Sequence, residues 1–447
     1  MLRKIVDKKI NLSQSNSLKD RLIKATIGSF GLKVSATALA FFLTFLFTRL
    51  LGSEGLGTYS YATTWANILS IPATLGLDNL LVREIAIYEA QSSWGLMKGI
   101  LSWSNRIVLV ISVMFAVIAA ITAWVLKGTS DPAIATAICL ALVTLPISSL
   151  RNLRLATMKG LHHIVKGQMP EMLFSPLLLS LSLVGLSWLL PKYFNVHIVL
   201  VAKIAIVIVT YIIGVVWLWQ ALPKQVKNVA PKYEVRRWIR SALPFMFLGT
   251  IILINSRVDI VMLGILDGVK AVGIYTVVAG IAQCVTFVYY SANNSFAPSM
   301  AGLYAQGNIE QLQRVINKSV GLVFLASAIV SAILIGFSHW ILLIFGAEFT
   351  AGQTAMIILI LGQLLHAMHG PAGILLDMTG HEKYTAIAAG SSAVLNICLN
   401  ALLIPHWGIN GAATATTISL IMVNITDIIL VRTKLKLSVT LFGSIKS

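Results

Sequence analysis

Stretches of about twenty apolar residues recur about twelve times along this chain, and that pattern admits few folds. A run of that length crosses a bilayer as a helix, and a helix satisfies its backbone donors and acceptors within the segment itself. The stretches lie near 25–50, 57–76, 100–126, 133–150, 170–190, 197–220, 239–264, 270–291, 315–344, 351–376, 384–404 and 409–431. With 57% hydrophobic and 11% charged residues among 447, the chain is far from the composition of soluble domains. The expected fold is all-α, a polytopic membrane protein of about twelve transmembrane helices.

Lysine and arginine indicate the orientation. With the N-terminus in the cytoplasm, 26 of them fall in the tails and loops of that side and three, Lys127, Lys192 and Lys270, on the other. The positive-inside rule then places both termini in the cytoplasm. This bias accounts for most of the +18 net charge, so anionic headgroups are the expected partners of the basic loops and nucleic acid is not. The first twenty-four residues are polar and the following apolar run is too long for an h-region, so no cleavable signal peptide is expected. Cys139, Cys284 and Cys398 sit far apart in apolar runs, as packing residues do, and no metal or cofactor is expected. Short outer connections and the lack of a phosphate loop or nucleophile elbow weigh against an enzyme.

The chain also repeats itself. Gly57, Tyr59, Asn67, Ser70, Thr74 and Asp78 are each followed 216 positions later by Gly273, Tyr275, Gln283, Thr286, Tyr290 and Asn294. Just upstream, Leu51-Gly52 is echoed by Leu263-Gly264. Each half holds about six spans, an even number, so both enter the membrane from the same side. The expected organisation is a basic cytoplasmic tail (1–24), an N-lobe (25–222), a basic cytoplasmic linker (223–238), a C-lobe (239–432) and a cytoplasmic tail (433–447), with two parallel six-helix lobes around a central cavity. Val235-Arg236-Arg237-Trp238 reads as an interfacial element, and a Pro- and Lys-rich linker would let the lobes rock.

At 100° per residue, polar side chains fall on one side of three apolar helices. The first carries Ser29, Lys33, Thr37, Thr44 and Thr48; the second Tyr59, Thr63, Asn67, Ser70 and Thr74; the eighth Tyr275, Gln283, Thr286, Tyr290 and Asn294. Small hydroxyls often serve as interhelical glue, but paired stripes on repeated helices favour a polar cavity. Each charge within a span costs about 2.5–3.5 kcal/mol at mid-membrane on insertion scales. Those charges are Lys33, Arg49, Arg106, Lys203, Arg257, Asp259 and Asp427, five cationic and two anionic, and the set suits an anionic ligand. Arg49, Arg106, Lys203 and Arg257 also lie where long stems snorkel to an interface, whereas Lys33 sits about two turns into its span. His366 and His369, beside Gly370-Pro371, read as packing near a helix break rather than as a metal site.

Arg49-Leu50-Leu51-Gly52 with Gly57-Thr58-Tyr59, then Gly76-Leu77-Asp78 and Val82-Arg83-Glu84-Ile85-Ala86, resembles the opening of bacterial polysaccharide-export flippases. The run from Leu395 to Pro405, with Gly408-Ile409-Asn410-Gly411-Ala412-Ala413, resembles their C-terminal signature. These are O-antigen and related lipid-linked oligosaccharide flippases of the multidrug/oligosaccharidyl-lipid/polysaccharide (MOP) exporter superfamily. The resemblance implies translocation of an undecaprenyl-diphosphate-linked repeat unit from the inner to the outer leaflet of the bacterial cytoplasmic membrane by alternating access, in O-antigen, capsule or exopolysaccharide synthesis. It implies a lipid-linked oligosaccharide as substrate and makes a polysaccharide polymerase and a chain-length regulator candidate partners. The substrate-contact set is Lys33, Thr37, Tyr59, Asn67, Ser70, Asp78, Arg83, Arg106, Tyr275, Gln283, Tyr290 and Asn294, with Asp259 and Asp427 as candidates for ion coupling. The chief alternative is a cation-coupled multidrug and toxin extrusion antiporter, which would need acidic groups where Lys33 stands. A lipid II flippase, a membrane-embedded sugar polymerase and a non-transporting scaffold are more distant alternatives.

Overall fold

A computed structural model describes the backbone of residues 2–127 and 131–439. Side chains are described over the same ranges apart from 2–27, 29, 30, 127, 248, 252, 291–295, 297 and 298. The side chains of the basic N-terminal tail, Ser29 and Asn294, and most of the C-terminal tail, therefore lie outside the described residues.

Among the described residues the chain is helical and contains no strand. In order, the helices are α1 (Leu2–Thr74), α2 (Leu77–Ala90), α3 (Trp94–Lys127), α4 (Pro132–Val143), α5 (Leu145–Gly160), α6 (Ile164–Met169), α7 (Ser175–Leu189), α8 (Val196–Ala221) and α9 (Lys224–Asn228). They continue as α10 (Val235–Leu266), α11 (Val269–Ala305), α12 (Ile309–Gly336), α13 (Ser338–Phe345), α14 (Gln353–Met368), α15 (Ala372–Met378) and α16 (Glu382–Leu430). Nine segments are long and apolar enough to cross a membrane among the described residues, and the bent pair Val235–Ile251 and Leu253–Leu266 makes ten.

Two of these are too long to be one crossing. Gly31–Thr74 and Glu382–Leu435 run for 44 and 54 residues, against the roughly twenty that span a bilayer. Each is broken by a glycine in a backbone conformation that side chains disfavour: Gly52 at φ 66°, ψ −171° and Gly408 at φ 53°, ψ −129°. Counting both breaks, the apolar segments number twelve. This is a multi-pass membrane protein of the expected class.

The breaks also correct the register of the internal repeat. The structural counterpart of Gly52 is Gly268, at φ 93°, ψ 172°, and not Gly264. Gly268 stands 216 residues after Gly52, the same offset as Gly57 to Gly273, so both copies begin with a glycine break followed five residues later by another glycine. Gly264 instead makes room for an aromatic ring, since a β-carbon there would lie 2.2 Å from the ring of Tyr61. Further on the copies diverge. The first is interrupted after Thr74 by the left-handed residues Leu75 and Gly76, and then resumes as α2; the second runs unbroken as α11.

By contact, the chain divides into two compact units. One comprises Met1–Leu46, Leu69–Ile121 and Val143–Met246; the other comprises Phe47–Ile68, Thr122–Leu142 and Phe247–Ser447. In the first, α2 is amphipathic, with Leu77, Leu80, Leu81, Ile85 and Tyr88 buried at helical spacing against Met97, Ile100, Leu153 and Trp238. Trp238, expected at the interface, is fully buried, and its indole N–H donates to the Tyr88 hydroxyl at 3.0 Å. The linker is pinned to the start of α3. Lys98 donates to the carbonyls of Lys227 and Val229, both at 2.8 Å, and the Lys232 amide donates to the Gly95 carbonyl at 2.8 Å. In the second unit, Met300, Leu312, Ile316, Val320, Leu375, Leu376 and Val431 form the corresponding apolar core.

Candidate functional site

In the first unit the polar stripe of α1 divides by residue type. The hydroxyls of Thr37 and Thr44 donate to the carbonyls four residues earlier, of Lys33 and Ala40, each at 2.9 Å. A helix in an apolar medium satisfies threonines in this way without any ligand. The Lys33 side chain is not covered by protein. Ser70 is buried. Asp78 stands half-buried in the first turn of α2, where burial pushes its carboxyl above the usual range. Arg83 is held at Glu84, 3.0 Å away, and lies over the Phe245 ring. Glu84 is itself buried and has Arg237 at 3.5 Å on its other oxygen.

Arg154, which lies between the apolar stretches 133–150 and 170–190, is a buried member of α5. Its Nη2 donates to Glu171 at 2.5 Å and to the Gly167 carbonyl at 3.1 Å. Lone charges in a low-dielectric interior are costly, and opposite charge with hydrogen bonding offsets that cost. The one acid in the apolar stretch after Pro170 was the sequence signal for this pair. Arg106 lines a pocket that Arg154 shares.

In the second unit, Tyr59 is partly buried against Phe47, with ring centroids 4.4 Å apart, and Asn67 and Gln283 are uncovered. Tyr290 is half exposed and meets Tyr289 edge to face. Tyr275 does not line open space. It is 2% exposed and donates its hydroxyl to Asp259 at 2.8 Å. Thr416 donates to the same carboxylate oxygen at 2.7 Å, and Asn400 donates to the other at 3.2 Å. Asn400 also bonds the side chain and carbonyl of Asn396, both at 3.0 Å. Thus Asp259 and Tyr275, proposed separately from sequence, form one centre. Asn396, Asn400 and Thr416 complete it and were missed. Two asparagines four apart in an apolar span were the available signal, since a helix places them on one face.

Asp427 belongs to a different place, with one oxygen facing Gly373 and the other buried without a hydrogen-bond partner. His366 is packed as expected. Its Nδ1 meets the Asn424 side-chain oxygen at 2.7 Å and its ring lies 4.2 Å from that of Tyr289, whose hydroxyl donates to the Gly370 carbonyl at the break. No group of three His, Cys, Asp or Glu able to hold a metal ion occurs among the described residues.

One oxygen-rich clasp secures the break at Gly52. The Glu348 carboxylate accepts the Ser53 amide at 2.7 Å and the Ser53 hydroxyl at 2.6 Å, which satisfies the first turn of the helix that resumes there. A β-carbon on Gly52 would lie 3.1 Å from the same carboxylate.

Residues 22–303 match the polysaccharide biosynthesis protein family, and residues 244–402 match the MatE family. The probable low-salt glycan biosynthesis flippase Agl15 of Haloferax volcanii is 28% identical over 165 residues. That alignment covers 37% of this chain and only 35% of the length of the relative. An inward-facing multidrug resistance MATE family transporter of the MOP superfamily superposes with a TM-score of 0.74 at 16% identity, covering 90% of this chain and 94% of that one. The lipid II flippase MurJ, in an inward closed conformation, superposes with a TM-score of 0.66 at 16% identity, covering 92% and 87%. At such identities the likeness is one of fold. The matched families and folds are those of transporters and flippases rather than enzymes.

Proposed function

This chain belongs to the polysaccharide biosynthesis protein family, within the MOP superfamily, and on that premise we propose that it flips an undecaprenyl-diphosphate-linked oligosaccharide from the inner to the outer leaflet by alternating access. The setting is surface-polysaccharide synthesis in the bacterial cytoplasmic membrane, with both termini cytoplasmic. A polymerase and a chain-length regulator are the proposed protein partners.

One observation carries this reading over drug extrusion. Among the described residues within the spans, the uncovered charges are cationic, Lys33, Arg106, Arg257 and Arg49, the last of which donates to the Ile344 carbonyl, whereas Asp259 and Asp427 are buried and Glu171 is paired with Arg154. An antiporter for organic cations needs an accessible acid, while a diphosphate needs an accessible base. Lys33 is the proposed diphosphate contact, and Asn67, Gln283 and Tyr290 supply donors and acceptors to sugar hydroxyls. Coupling is assigned to Asp259. Three side chains donate to its carboxylate and no cationic group pairs with it among the described residues, so a proton or a monovalent cation would complete the site.

The test is transbilayer movement of a fluorescent undecaprenyl-diphosphate oligosaccharide in vesicles holding the full chain, with Lys33→Ala beside it. Movement by the parent, slowed about tenfold or more in the variant, is expected from the loss of one charge-assisted contact. Efflux of organic cations with no movement of the lipid would overturn the reading in favour of the antiporter. Equal movement by parent and variant would remove Lys33 from the site and leave the function standing.

A further inference from the structure

The first unit holds a largely apolar pocket with a cationic wall, of which only Arg106 belongs to the expected substrate contacts. It lies between α3, α5 and α8 as an open cleft with a volume of about 330 Å³. Arg106, Arg154, Thr157 and Tyr211 contribute its polar wall. Arg154 is 3% exposed, and although its Nη2 is engaged by Glu171 and Gly167, its Nε and Nη1 have no hydrogen-bond partner. Those two nitrogens lie against α8 at Gly214, where a β-carbon would come within 2.6 Å of both. Glycine at 214 therefore makes the room in which the guanidinium sits, with Nε and Nη1 packed on the helix and Nη2 bonded, so that Arg154 acts on the pocket through its charge. The nearby Arg151 has a buried, unpartnered Nε as well.

The charge balance points to what is missing. Around Glu171 stand Arg151 and Arg154, two guanidiniums to one carboxylate, and Arg106 adds a further positive charge to the pocket wall, in a setting where surplus charge is costly. An anion with several oxygens answers that surplus, and phosphate is a group that guanidiniums attract strongly. The mouth of the pocket shows what that phosphate is attached to. It opens at Leu109 and Trp219, and the exposed apolar residues Val113 on α3 and Ile212 and Val216 on α8 continue the same helical stripes. Trp219 lies two residues before the end of α8, with the Lys227 ammonium 5.6 Å from its ring, an arrangement typical of headgroup depth.

We infer that this pocket holds the phosphate of an anionic phospholipid, bound as a resident lipid with its chains along the α3 and α8 stripes. The inference goes beyond the proposed translocation and does not depend on it. It is tested on the purified full chain in detergent, with no transport step. Phosphatidylglycerol and phosphatidylcholine bearing brominated chains are titrated in, and the emission assigned to Trp219 is the difference between the parent and Trp219→Phe. Stronger quenching by phosphatidylglycerol is expected, with its apparent affinity about tenfold weaker in Arg106→Gln, an exposed position whose replacement leaves the core intact. Lys159→Gln, which removes an exposed charge outside the pocket, is expected to leave the affinity unchanged. Equal quenching by the two lipids, an unchanged preference in Arg106→Gln, or an equal loss in Lys159→Gln would overturn the site. Displacement of the lipid by inorganic phosphate alone would overturn the lipid assignment in favour of a free anion.

Discussion

Gly57 and Gly273 face each other across a helix crossing. A β-carbon on the first would sit 1.7 Å from the Val269 carbonyl oxygen, and one on the second 1.9 Å from that of Ser53. Val269 and Ser53 are each four residues before the glycine they flank, so the contact is reciprocal. The first turn of each helix packs on the first turn of its repeat.

Either glycine replaced by alanine should therefore force two backbones apart. A methyl group in such contact with a carbonyl cannot be accommodated by rotamer changes, and overpacking costs about 1–3 kcal/mol or more. Gly57→Ala and Gly273→Ala are expected to lower the midpoint of thermal unfolding in detergent by several degrees. Gly280→Ala, in the same helix with nothing within 4 Å of the added carbon, is the control and should leave the midpoint unchanged or raise it.

The Arg154–Glu171 pair should behave as a buried unit. Removing either partner strands the other charge, and such truncations cost about 3–5 kcal/mol. Arg154→Met and Glu171→Met are each expected to destabilise the chain strongly, whereas the double variant should recover much of the loss. A thermal-unfolding cycle over the four proteins measures that coupling, and additive single effects would show that the pair is not a unit.

Asp259→Asn should separate folding from coupling. The amide preserves the shape, its oxygen can still accept from Tyr275 and Thr416, and its NH2 can donate to Asn400 once that amide turns its unpartnered oxygen toward it, so the unfolding midpoint should fall only slightly. Lipid movement driven by a proton or sodium gradient should fall to the rate seen without a gradient. Gradient-dependent movement that survives in the variant would place the coupling group elsewhere.

Glu348 serves as a cap supplied from a distant part of the chain. Glu348→Ala leaves the Ser53 amide and hydroxyl without their acceptor, and losses of this kind cost about 1–2 kcal/mol. Glu348→Gln keeps one carbonyl oxygen and should cost less. Hydrogen exchange at the Ser53 amide is the direct readout, expected to quicken in the alanine variant and less so in the glutamine one.

Much of the architecture was legible because lipid enforces it. Long apolar stretches follow from a constraint that acts on composition alone, and the 216-residue offset reappears in the paired glycine breaks at Gly52 and Gly268. What escaped depends on which helices meet. Tyr275 belonged to a polar stripe by periodicity, but it is buried and its hydroxyl is taken by Asp259 of α10. Arg154 looked like a loop cation because Lys159 and Lys166 follow it closely, and only the packing of α5 on α8 reveals that it is buried. Gly264 looked like the repeat of Gly52 by its neighbouring leucine, whereas backbone conformation selects Gly268. Periodicity reports a face, and tertiary packing decides what that face meets.

A crossing made of two glycines has a further consequence for how the halves of this chain can change. The joint is specified by main-chain atoms, so it places no demand on the identity of any side chain around it. Asn67 can drift to Gln283, and Thr74 to Tyr290, without disturbing the fit that relates the copies. Duplication followed by divergence ordinarily risks the interface between the duplicates. Here the crossing asks only that its two glycines be kept, and the side chains further along each helix are free to change.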